Sequence, residues 1–237
     1  MSNKYEKIWR NANWTLQARQ LLRGLSRLSN NSKIVLILRH SHRISSKDAE
    51  KLAKLRLTPQ GHEIAKILGS LLPKERPIRL FHSIVKRCEE TAENILRGFK
   101  EKGGKGELKG VLDALYDIGT DGIYIIKKAV EHAGQKFLNH WAAGLYPPNK
   151  IKTLSSYSKE SAFEIWKLLD NAPENGIDIH ISHDLSIMGF RLGWFGLPAQ
   201  DWWVSFMGGF AFTFDDSQIH LLDKGRIKKV EIPYWWH

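Results

Sequence analysis

The segment Arg39-His40-Ser41-His42-Arg43 sets two guanidinium groups around a histidine, directly after the apolar run Lys33-Ile34-Val35-Leu36-Ile37-Leu38. A neutral imidazole placed this way can attack phosphorus in line, giving a phosphohistidine that water later hydrolyses. Charge on the three equatorial oxygens must be held throughout, which forked, always-charged guanidinium groups do. Two further segments carry groups of the same kind. Arg87 follows Ile78-Arg79-Leu80-Phe81-His82-Ser83 after a short connection, and His183-Asp184 follows Asp178-Ile179-His180-Ile181-Ser182. His183 can donate a hydrogen bond to a phosphoryl group, and a carboxylic acid such as Asp184 can protonate a departing alkoxide.

Elements that could bring these residues together are visible around them. The run 33–38 is short, continuous and rich in branched residues, as in a strand buried on both faces of a parallel sheet. Strands are also expected at 78–83 and 178–182. Thr58-Pro59 opens a helix, with threonine as N-cap and proline at the first helical position, running to Leu71. Further helices are expected at about 86–99, 124–141 and 159–171. Residues 210–214 and 219–222 bracket Asp215-Asp216-Ser217 as a hairpin. The glycine- and lysine-rich stretch 100–110 reads as a mobile surface loop. Strands alternating with helices predict an α/β fold around a largely parallel sheet, whose sites lie beyond the carboxyl ends of the strands. All three segments lie at such ends.

Residues up to about 30 read as one helix, with Trp14, Ala18, Leu21, Leu22, Leu25 and Leu28 at helical spacing and Arg19, Arg23 and Arg27 on other faces. The expected organisation is an extension over 1–32 packed on a domain over 33–237. A basic amphipathic helix resting on a membrane surface is the competing reading.

Bulk properties narrow the partners. A chain of 237 residues suits one well-buried domain, and no apolar run approaches the roughly 20 residues that span a bilayer. The N-terminus lacks an apolar signal-peptide core, so a cytoplasmic location is expected. One cysteine, Cys88, excludes an internal disulfide framework. With asparagine at position 94, Cys88 lacks the arginine that a cysteine-phosphatase loop would place there, and it reads as a small helix residue. A net charge of +11 points to an anionic partner. A small phosphorylated substrate fits without any obligatory nucleic acid. Of the tryptophans, Trp202 and Trp203 alone fall near the expected rim.

The first segment resembles the RHGxR signature of histidine phosphatases, with Ser41 where glycine is usual. Leu57-Thr58-Pro59-Gln60-Gly61-His62-Glu63-Ile64-Ala65 is similar to the family's LTxxGxxQA helix start. Ser83-Ile84-Val85-Lys86-Arg87-Cys88-Glu89-Glu90-Thr91-Ala92 is similar to its SPxxRxxxTA segment, with Ile84 for proline, and His183-Asp184 looks like its late HD motif. The matches occur in family order. The resemblance implies a three-layer α/β/α sandwich of the phosphoglycerate mutase-like kind and a covalent phosphohistidine on His40. It also implies a phosphate pocket of Arg39, Arg43, Arg87 and His183, with no metal or cofactor. The HD arrangement resembles the acid-phosphatase branch, which makes Asp184 the proton donor. Leu115-Tyr116-Asp117-Ile118-Gly119 resembles the LxExxxG stretch of the mutase-like branch, which makes Asp117 the alternative.

The leading expectation is a metal-independent phosphatase acting on a small phosphomonoester. A phosphomutase shares the chemistry, and a catalytically weak basic binding protein on the same fold is the reading from another class. Arginines around His40 should keep its imidazole neutral in mild acid, and the acid must stay protonated, so an optimum below neutrality is expected. The natural substrate and oligomeric state are not set by the sequence.

Overall fold

Along β1 (Ile34–Arg39) the side chains alternate between two cores, Val35 and Ile37 on one side and Ile34, Leu36 and Leu38 on the other. Such a strand has both faces covered, which explains its unbroken apolar run. The computed structural model describes residues 2–29, 31–46, 48–200, 202–215 and 217–236.

The sheet has the order β3-β2-β4-β1-β5-β6-β7, with β2 (Ile78–His82), β3 (Gly106–Val111), β4 (Ile177–Ser182), β5 (Gly209–Phe214), β6 (Gln218–Asp223) and β7 (Arg226–Glu231). β1, β2, β3 and β4 are parallel, whereas β5, β6 and β7 are antiparallel. One face is covered by α1 (Ser2–Asn11), α2 (Leu16–Leu25), α4 (Pro59–Ser70) and α5 (Lys86–Glu101). The other is covered by α6 (Gly122–Ala142), α7 (Leu154–Lys167) and α8 (Asp184–Phe195). A short helix, α3 (Ala49–Lys54), crosses towards α6. The result is a three-layer α/β/α sandwich around a mixed sheet, parallel at its centre.

Thr58 caps α4 as expected, its hydroxyl accepting from the Gly61 amide at 3.2 Å, with Pro59 at the first position. The N-terminal segment is two helices rather than one. They are separated at Ala12–Thr15, where the Thr15 hydroxyl donates to the Trp9 and Ala12 carbonyls, each at 2.8 Å. Ala18, Leu21, Leu25 and Leu28 are buried in the core beside Leu36 and Leu222. The stretch 100–110 is no free loop, because its second half forms edge strand β3. The register slips between Leu80 and Phe81, opposite Leu108 and Gly110, and Gly110 takes a positive φ of 101° there. α7 begins and ends earlier than expected, residues 168–171 being a 3-10 turn. Among the described residues no helix is long and apolar enough to cross a membrane.

Candidate active site

Strand register assembles the site. Arg39 of β1 lies opposite Ser182 of β4, and one residue later the His40 amide donates to the Ser182 carbonyl at 3.0 Å. The Ser83 amide donates to the Ile181 carbonyl, also at 3.0 Å. His40, Ser83 and His183 therefore leave the sheet side by side, the two imidazoles 5.5 Å apart between centroids.

His40 is buried, and its Nδ1 lies 2.8 Å from the Ser41 carbonyl. A carbonyl only accepts, so Nδ1 carries the proton of the neutral ring and Nε2 keeps a free lone pair. Burial, then Arg87, Arg39 and His183, hold His40 well below the usual imidazole range. The arginines alone account for this direction in the sequence, yet desolvation is the larger cause.

Ser41 is accommodated where glycine is usual. Its backbone stays out of the left-handed region, and its buried hydroxyl donates to the Gly61 carbonyl at 2.7 Å while its amide donates to Thr91 Oγ1 at 3.0 Å. Gly61 is the position that needs glycine, since a Cβ there would lie 2.3 Å from the His42 carbonyl oxygen. His42 itself contacts the Thr58 hydroxyl and the rings of Trp14 and Phe206.

Arg43 and Arg87 line the cavity with His40, whereas Arg39 lies outside its lining, held by Asp184 and the Val204 carbonyl. The buried Nε of each arginine has no hydrogen-bond partner in the structure. Burial followed by the charges of Arg87 and Arg39 lowers Arg43 to about 10. Three guanidinium groups with a single carboxylate, Asp184, among them and with donors to spare suit the binding of an anion. Arg87 Nη1 is steadied by the Leu52 and Ala53 carbonyls of α3 at 3.2 and 3.3 Å.

His183 is held at both nitrogens, a feature the sequence did not reveal. Arg87 Nη2 lies 3.4 Å from Nδ1 and, as a donor, makes that nitrogen the acceptor. Nε2 then carries the proton towards Ser83 Oγ at 2.8 Å. Burial and then Arg87 lower His183 to about 3. Cys88, 3.7 Å from His183 Nε2, is buried and pushed up to about 12, so it is a packed thiol and no nucleophile.

Asp184 and Asp117 are treated very differently. Asp184 opens α8, lines the cavity and forms an ion pair with Arg39 Nη2 at 2.7 Å. It also accepts from the Trp203 indole at 3.3 Å. Burial raises its pKa, but Arg39, the indole and His183 outweigh burial and leave it below the usual carboxylate range. Asp117 points elsewhere, paired with Lys152 at 2.7 Å and outside the cavity lining.

Sequence reasoning missed Gln17. Its side chain donates to the Trp203 carbonyl and accepts from the Ser205 amide, both at 2.9 Å. The loop so fixed presents Trp203 to Asp184, the Val204 carbonyl to Arg39 Nη1 at 2.8 Å, and Phe206 to the Arg39 guanidinium and the His40 ring. Of the two rim tryptophans, Trp203 lines the cavity, while Trp202 stacks on Arg191.

The cavity has a volume of about 360 Å³. His40, Arg43, Arg87, His183 and Asp184 form one end, and α3, α6 and Trp203 form the walls. Among the described residues no group of three or more His, Cys, Asp or Glu side chains is placed to hold a metal ion.

Residues 35–208 match the family model described as histidine phosphatase superfamily, branch 1. No curated protein matches the chain in sequence. Among solved structures, a mycobacterial glucosyl-3-phosphoglycerate phosphatase complexed with VO3 is 15% identical, with 84% of this chain and 99% of that one covered and a TM-score of 0.55. A phosphoserine phosphatase mutant from Entamoeba histolytica, in complex with phosphoserine, is 16% identical, covering 86% and 98% at a TM-score of 0.52. A phosphoglycerate mutase from Bacillus anthracis is also 16% identical, covering 86% and 94% at a TM-score of 0.52. At such identities these likenesses speak for the fold alone.

Proposed function

The chain belongs to the histidine phosphatase superfamily, and from that premise we propose that it hydrolyses a small phosphomonoester through a phosphohistidine on Nε2 of His40. The observation that carries this reading is the lone pair of Nε2, set by the Nδ1 contact to Ser41, at the end of a cavity also formed by Arg43, Arg87 and His183.

In the proposed first step His40 Nε2 attacks phosphorus and the bond to the leaving oxygen breaks, its electron pair staying on that oxygen. Asp184, protonated when phosphate is bound, supplies the proton. In the second step water attacks the phosphohistidine, the Asp184 carboxylate takes the water's proton, and inorganic phosphate leaves with Nε2 restored. Arg39, Arg43 and Arg87 hold the equatorial oxygens in both steps.

Two adjustments follow from the resting contacts. A bound phosphate draws Arg39 from Asp184 and adds negative charge beside it, which raises the carboxylate's pKa towards that of a usable acid. It also draws Arg87 from His183 Nδ1, so the imidazole can place its proton on Nδ1, towards phosphate, while the Ser83 hydroxyl donates to Nε2. Asp184 is the proton donor in this reading and Asp117 is not, because Asp117 lies outside the cavity lining. Residues 1–32 serve as an extension that braces the 203–205 loop of the domain over 33–237. No step calls for a metal, and a cytoplasmic setting suits the single buried thiol.

Hydrolysis of p-nitrophenyl phosphate in excess EDTA by wild type and His40→Ala tests the reading. Turnover that survives the chelator and vanishes in the variant is expected. Turnover that persists in the variant, or a folded wild type that cleaves no phosphomonoester, would count against it.

A further inference from the structure

We propose that the leaving group of the substrate is uncharged and apolar, an aromatic or aliphatic body of one or two rings' size without a carboxylate or second phosphate. The proposal rests on the phosphatase reading and adds a substrate class to it. What points to it is the division of the cavity into a charged end and an apolar remainder.

Every charged side chain that lines the cavity belongs to the end around His40: Arg43, Arg87 and Asp184. Beyond them the lining is Leu52 of α3, Val85, Ile118, and Ile125, Ile126 and Val130 of α6. The α6 residues recur one and four positions apart, so one stripe of that helix faces the opening. Trp203 packs against Gly134 of α6, where a Cβ would fall 2.5 Å from the indole ring. Uncharged polar groups are sparse there. The Tyr116 hydroxyl donates to Asp113 at 3.1 Å, the Trp203 indole donates to Asp184, and the Ser186 hydroxyl is fully buried.

Apolar walls alone are common in small-molecule sites. The discriminating feature is that no lysine, arginine or histidine lines this wall among the described residues, although the chain carries a net charge of +11. A carboxylate or second phosphate on the leaving group would lose its water against Ile125, Ile126 and Trp203 without gaining a cation. A ring would gain from the same surface. The volume of about 360 Å³ lies at the small end of ligand pockets, which span roughly 300–1,000 Å³. That size suits a compact organic phosphate.

Two measurements on the full chain separate this proposal from the phosphatase reading beneath it. Calorimetry compares (naphthylmethyl)phosphonic acid with 3-phosphonopropionic acid, neither of which can be hydrolysed. Phosphate release compares 2-(naphthyl)ethyl phosphate with phosphoserine, both primary alkyl esters, so that leaving-group reactivity is matched. The naphthyl member of each pair is expected to be favoured by about tenfold or more in Kd and in kcat/KM. Equal treatment, or preference for the carboxylated member, would overturn the proposal. A naphthyl preference in binding with no phosphate released from any ester would uphold the pocket's selectivity and sink the phosphatase reading. Val130→Lys, at a half-exposed wall position, supplies the missing cation and should cut the preference at least about threefold. A folded V130K protein with an unchanged preference would show that this wall does not select.

Discussion

Arg39 donates to the carboxylate of Asp184 at 2.7 Å, so one guanidinium serves both the proposed phosphate pocket and the proposed proton donor. The ion pair holds the carboxylate below its usual range, and in the proposed mechanism bound phosphate releases it.

The pH profiles should show this coupling. His40 stays neutral well below its ordinary titration range, so the proposed nucleophile is available throughout mild acid. The limb that falls with rising pH belongs to Asp184, whose pKa in the free protein is depressed. In kcat/KM that limb should lie further to the acid side than in kcat, since kcat reports the phosphate-bound state. Steady-state rates across mildly acidic to alkaline pH measure it, and activity that climbs steadily into alkali would contradict the assigned roles.

Leaving-group dependence distinguishes the two carboxylates. Asp184→Asn should lower kcat on an alkyl phosphate by roughly 10²- to 10⁴-fold, the ordinary range for general acid catalysis. The loss should be much smaller on p-nitrophenyl phosphate, whose phenolate leaves without help. Asp117→Asn should change neither rate appreciably, because that residue pairs with Lys152 outside the cavity. The opposite pattern would move the acid to Asp117.

Gln17 acts from outside the residues that match the family model. Gln17→Ala frees the 203–205 loop and with it the contacts to Arg39 and Asp184. A shift of about 1 Å at such a remove can cost roughly 10²-fold, so kcat should fall by about 10- to 100-fold with an altered pH profile. Gln17→Glu keeps the acceptor for the Ser205 amide and should recover part of the loss. An unchanged pH profile in Q17A would reduce the residue to a purely structural contact.

Ser41→Ala removes the buried hydrogen bond to the Gly61 carbonyl. Denaturant unfolding should report a loss of about 1 kcal/mol, the usual net worth of such a bond. A variant as stable as wild type would show that the hydroxyl does not tie the His40 loop to α4.

β1 was legible because it is buried on both faces and spells that burial as the unbroken apolar run Ile34 to Leu38. β4 instead alternates isoleucines with Asp178 and His180, polar residues buried against Arg79 and Phe81 of β2. Their carboxyl ends place His40 and His183 side by side. Edge strand β3 was not legible, since exposed Glu107 and Lys109 beside glycines look like a loop, and only pairing with β2 makes them a strand. α3 is too short to show a periodicity, and the break between α1 and α2 depends on one threonine hydroxyl. At the site, residue types were readable but their coupling was not. Nothing local to Gln17 announces a partner at Trp203, and nothing in the pair His183-Asp184 says that Arg87 and Arg39 already occupy both side chains.

The covalent intermediate tests the central claim most directly. Rapid quenching of the protein with ³²P-labelled aryl phosphate, followed by peptide mapping, should find acid-labile, alkali-stable phosphate on His40, absent from His40→Ala. Label on another residue, or turnover in which no phosphoprotein forms on the timescale of the reaction, would contradict it.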